Sequence, residues 1–85
     1  MNVFEGLKRS RAFRREETAL RFENATLTYE SLYHQALRIA HALKKEGVGR
    51  GDKVCLFLPN VPEFVMSYYA VAAVGGVVVS INVMN

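Results

Sequence analysis

The sequence predicts an α/β fold: a helix, a β-hairpin, a second helix and a parallel βαβ unit. Three observations predict it. From Leu32 the apolar residues Ala36, Ile39, Ala40 and Leu43 recur at offsets of four, seven, eight and eleven, which places them on one face of a helix. Lys53 leads into an unbroken apolar run from Val54 to Leu58, a pattern suited to a strand covered on both faces. Gly75 and Gly76 then separate an apolar segment, Phe64 to Val74, from a second β-branched run, Val77 to Ile81.

Along the chain, Val3 to about Arg15 has the spacing of a helix with a narrow apolar stripe of Val3, Phe4, Leu7 and Phe13. Ala19, Leu20 and Phe22 precede Glu23 and Asn24, and Leu27 resumes the pattern, so a hairpin turns at Glu23 and Asn24. Thr28 is placed to cap the following helix through its hydroxyl, with Glu30 in the first turn favoured by the dipole. Gln35, Arg38, Lys44 and Lys45 lie off its apolar face, and Gly47 ends it.

Pro59 closes the first apolar strand, and Pro62 suits the first turn of the helix after it. Val65, Met66, Tyr68, Tyr69, Val71, Ala72 and Val74 occupy more than one face of that helix, which must therefore pack on more than the sheet. Strand, helix and strand span about thirty residues, the size of a βαβ unit with parallel strands. A doubly wound sheet is begun and not completed.

Composition narrows the function. The chain has 85 residues and a net charge of +3, enough for one small domain. Most of the basic excess lies in Lys8, Arg9, Arg11, Arg14 and Arg15, flanked by Glu5, Glu16 and Glu17 and interleaved on a helix with Val3, Phe4, Leu7 and Phe13, which reads as a solvated face rather than a phosphate-binding stripe. Nucleic acid is therefore not an expected partner. The single cysteine, Cys55, excludes an internal disulfide. Between Val54 and Leu56 it reads as a small buried hydrophobe. No stretch approaches the ~20 apolar residues of a membrane span, so the expected location is the cytoplasm.

No constellation of residues carries chemistry. Gly47, Gly49 and Gly51 follow a helix and precede a strand, the reverse of the order in a phosphate-cradling loop. The turn Pro59, Asn60, Val61, Pro62 does follow a strand, but its prolines lack N–H donors. His34 and His41 lie one heptad apart without a further ligand at metal spacing, and read as surface residues. Asp52 shapes a turn and Glu63 favours a helix N-terminus, while Tyr29, Tyr33, Tyr68 and Tyr69 read as packing residues. The expected catalytic, cofactor-binding and metal-binding residues are none.

The succession of segments is more informative. Leu27-Thr28-Tyr29-Glu30 with Leu32 is followed by Leu43, Gly47-Val48 and Gly51-Asp52 with Val54. Leu58-Pro59-Asn60 and Glu63 come next, then Tyr69-Ala70, Gly75-Gly76-Val77-Val78 and Asn82. From about Ala19 to Asn85 this order resembles the start of the adenylate-forming (AMP-binding) superfamily, most of all the bacterial long-chain fatty-acid CoA ligases. It departs from many members at Ser80 and Val83, where they carry proline.

The resemblance implies that residues 1–85 form the incomplete N-terminal part of the large AMP-binding domain of an acyl-CoA synthetase, without its phosphate loop or C-terminal lid domain. The complete enzyme would join a carboxylate, such as a fatty acid, to AMP using magnesium-ATP, and then pass the acyl group to coenzyme A. No cofactor is expected on these 85 residues, which would be structural and inactive alone. Their expected partner is the remainder of the enzyme, or another copy when isolated. The alternative is a small self-associating or partner-binding α/β module without enzymatic activity.

Overall fold

The computed structural model describes residues 3–56 and 61–80. Helix α1 (Val3–Arg14) leads to an antiparallel hairpin, β1 (Thr18–Phe22) and β2 (Ala25–Thr28). Helix α2 (Tyr29–Lys45) follows, then β3 (Lys53–Leu56), helix α3 (Pro62–Ala73) and β4 (Val77–Ser80), with β3 and β4 pairing in parallel. This is the expected helix, hairpin, helix and βαβ order. The proposed strand residues Phe57, Leu58 and Ile81, and the Pro59 stop, lie outside the described residues.

The hairpin turns at Glu23 and Asn24, and Glu23 takes a left-handed φ of 53°. Its two strands pair Phe22 with Ala25 and Leu20 with Leu27, and a bulge between Thr18 and Leu20 shifts the register. The hairpin then feeds directly into α2. Thr28 Oγ1 accepts from the Ser31 N–H at 3.1 Å, while the Tyr29 and Glu30 N–H groups donate to the Glu17 and Arg15 carbonyls at 3.0 and 2.9 Å. Three donors that helix geometry leaves orphaned are thus satisfied, two of them by the segment linking α1 to the hairpin.

At the other end of α2, Gly47 has φ of 91° and donates to the Lys44 carbonyl, and Val48 donates to that of Leu43. These two bonds are a Schellman motif, which Gly47 permits because it lacks a Cβ. Asp52 then tightens the turn into β3: its Oδ2 accepts from the Gly49 N–H at 2.7 Å, and its own N–H donates to the Gly49 carbonyl. The two helix-to-strand connections, α2 to β3 and α3 to β4, meet where Gly51 donates to the Gly75 carbonyl and Val77 to the Asp52 carbonyl.

The core lies between the helices. Leu32, Ala36 and Ala40 of α2 and Ala70, Val71 and Ala72 of α3 are buried, and Leu7 is the buried residue of α1. Among the described residues, four of the eight buried apolar side chains are alanine, so α2 and α3 approach through small side chains. Phe4, Ala19, Tyr29, Tyr33, Val65, Met66 and Tyr69 close around Leu7, Leu32 and Ala36. Ile39 and Leu43, placed on the same face by spacing, are only half-buried. As its apolar surround suggests, α3 packs against both other helices as well as against β3 and β4.

Two expectations about β3 need correction. Cys55 is exposed rather than buried, because strand alternation turns Val54 and Leu56 toward the helix and Cys55 away from it. The strand is also covered on one face only, since among the described residues α3 supplies the packing and no second layer lies opposite.

Candidate functional site

The most developed side-chain cluster joins α1 to the start of α2. Arg11 Nε donates to Glu30 Oε1 at 2.7 Å, and Nη2 reaches Oε2 at 3.4 Å. His34 lies one helical turn beyond Glu30, with Nε2 2.6 Å from Oε2. The Arg11 guanidinium also lies 4.9 Å from the centre of the Tyr33 ring, which stacks on Phe4 at 5.6 Å. One carboxylate therefore receives two cationic or polar partners while an aromatic face supports the arginine.

Electrostatics follow from this geometry. Hydrogen bonding from Arg11 holds the Glu30 carboxyl down to about 2, and His34 acts in the same direction. The same bond raises the Arg11 guanidinium above its ordinary value. The group has the form of a clamp between helices: its donors all end on one carboxylate, and Glu30 sits partly exposed.

The remaining candidates stay apart. His41 is exposed on α2 away from this cluster, and Asp52 is engaged by Gly49 in its turn. Glu63 occupies the first turn of α3, and Lys8, Arg9, Arg14 and Arg15 are exposed. Tyr29, Tyr33 and Tyr69 pack around the core, whereas Tyr68 is partly exposed and meets Tyr69 edge to face at 6.2 Å. Among the described residues no three His, Cys, Asp or Glu side chains gather as a metal-ligand set. No described helix is long and apolar enough to cross a membrane.

Sequence reasoning missed the Arg11–Glu30 pair. It grouped Arg11 with the solvated basic run and gave Glu30 a dipole role, and a separation of nineteen residues leaves no local spacing signal.

Fold and cluster together define an α/β framework organised around docked helices. A family model described as AMP-binding enzyme matches residues 7–84, and the chain belongs to that family. It is 40% identical over 67 residues to a long-chain-fatty-acid–CoA ligase of Bacillus subtilis, covering 79% of this chain and 12% of that protein. It is 42% identical over 55 residues to acetyl-coenzyme A synthetase 2 of Pseudomonas aeruginosa, covering 65% of this chain and 8% of that one. Among solved structures, an anthranilate CoA ligase in complex with anthranoyl-AMP matches with a TM-score of 0.92 at 28% identity, covering 100% of this chain and 16% of that one. The helix, hairpin, helix and βαβ unit are thus the fold of the matching part of adenylate-forming enzymes.

Proposed function

We propose that this chain is the N-terminal framework of an enzyme that activates a fatty acid with ATP to an acyl-adenylate and then forms the acyl-CoA. The observation that carries the reading is family membership across residues 7–84 together with the similarity to the Bacillus subtilis ligase. The similarity to acetyl-CoA synthetases supports carboxylate activation more broadly than a long acyl chain. On this reading the chain's partner is the remainder of the enzyme and its compartment the cytoplasm, where a lone exposed thiol such as Cys55 stays reduced.

The described residues do not themselves fit ATP, magnesium or coenzyme A. The glycines of the Gly47–Gly51 turn lie between the end of α2 and the start of β3, the reverse of the strand-to-helix order of a phosphate-cradling loop, and Asp52 already accepts a backbone hydrogen bond. These groups belong to the proposed complete enzyme, and the 85 residues contribute the scaffold.

The test is expression of the complete reading frame containing these residues, followed by ATP–pyrophosphate exchange with acetate and fatty acids of increasing length. Exchange that rises with chain length is expected. Exchange confined to acetate overturns the fatty-acid assignment. Exchange with no carboxylate, or a frame ending at Asn85, overturns the enzyme reading.

A further inference from the structure

A cavity of about 570 Å³ lies between the start of α1, the C-terminal half of α3, the turn before β3 and the start of β4. That volume is in the range of small-molecule sites. Val3, Tyr68 and Val77, three of the five large apolar side chains left exposed among the described residues, line it together with Ala72. Arg50 is the charged residue of the lining. Its stem passes beside Gly75, where a Cβ would stand 3.4 Å from Arg50 Cα and 3.7 Å from Cγ. The hydrogen bond from the Gly51 N–H to the Gly75 carbonyl, 2.9 Å, fixes the base of this arm against the α3–β4 connection.

The charge of Arg50 is not used within the fold. Among the described residues its guanidinium has no ion-pair, hydrogen-bonding or aromatic partner. Asp52, the acid nearest in sequence, turns Oδ2 to the Gly49 N–H at 2.7 Å. The carbonyls of Ala70, Val71 and Ala72 at the end of α3 already accept from Val74, Gly76 and Gly75. We propose that the cavity binds a small monocarboxylate with an apolar chain, its carboxylate on the Arg50 guanidinium and its chain along Val3, Ala72 and Val77. The planar fork of arginine matches a carboxylate, and Tyr68 adds an aromatic wall. An exposed guanidinium holds a carboxylate weakly by itself, so the apolar wall supplies the affinity and the cation the orientation. The proposal stands apart from the adenylation reading, because no group in the cavity is asked to react.

Photolabelling tests it. The product of the complete reading frame is irradiated with decanoic acid carrying a diazirine in its chain, without ATP, and the adducts are located by peptide mass spectrometry. Adducts are expected on the peptides that contain Val3, Tyr68 or Val77. Arg50→Gln is expected to lower this labelling about tenfold or more, the loss that goes with a hydrogen bond to a charged group. Arg50→Lys, which keeps the charge without the fork, is expected to retain part of it. Because Arg50 is exposed, both variants are expected to keep the parent Tm. Unlabelled decanoate is expected to compete, whereas decanol, lacking the charge, and acetate, lacking the chain, are not.

No adduct on those peptides overturns the site, including when the rest of the complete protein covers the cavity. Labelling that survives Arg50→Gln, or that decanol removes as well as decanoate does, is apolar adsorption and also overturns it. Pyrophosphate exchange is measured on the same preparations, and Arg50→Gln is expected to leave it unchanged. Exchange without adducts would keep the enzymatic reading and remove the site. Arg50-dependent adducts without exchange would do the reverse.

Discussion

At the scale of single residues, Glu30 does more than favour a helix N-terminus. Its carboxylate ties Arg11 to α2, and its value of about 2 lies below that of an unpaired carboxyl. Because the folded value is depressed, the contribution is fully present above the unfolded value of about 4.3 and is lost as pH falls toward 2. Thermal melts between pH 7 and pH 2 are expected to show a shallower acid limb for Glu30→Gln than for the parent chain. Parallel limbs would show that the pair adds no pH-dependent stability. Gly47 illustrates a different constraint: a Cβ there meets nothing within 4 Å, but φ of 91° is unfavourable for any L side chain. Gly47→Ala is expected to cost about 1 kcal/mol in urea unfolding, entirely through the backbone.

Elements are set by their ends and contacts. The Thr28 hydroxyl is the side-chain cap of α2, so Thr28→Ala is expected to lose about 1 kcal/mol and Thr28→Ser to retain most of it, as read by denaturant midpoints. At the junction of α3 with β4, a Cβ on Gly76 would stand 3.0 Å from Val71 Cγ1 and 3.1 Å from the Asp52 carbonyl oxygen. Val71 is fully buried and Asp52 begins the hydrogen-bonded approach of the two strands, so neither neighbour yields freely. Gly76→Ala is expected to destabilise by about 1–3 kcal/mol through overpacking, with loss of urea resistance as the measure. The hairpin turn, the Thr28 cap and the Gly47 stop were all legible in the sequence because each depends on neighbours in the chain. The exposure of Cys55 was not: its apolar neighbours identify a strand but leave open which faces are covered.

For the molecule as a whole, the core is narrow and α1 is held at few points. Leu7 is its buried residue, supported by the Phe4–Tyr33 stack and the Arg11–Glu30 pair. Leu7→Ala is expected to cost about 2–5 kcal/mol, the usual range for a buried leucine. Amide exchange would show the loss first in α1 and then where Tyr33 and Met66 pack against it. Uniform acceleration across every element would instead mean that α1 unfolds only with the whole chain.

The sequence by itself determined the order and type of the elements, their punctuation and the family resemblance, because helical spacing, β-branched runs and turn residues act over a few positions. Tertiary structure alone decided that Arg11 meets Glu30, that alanines bring α2 and α3 together, and that Cys55, Val77 and Val79 share an open face. Those outcomes depend on which residues distant in the chain become neighbours, and on how many layers surround a strand, neither of which a local pattern encodes.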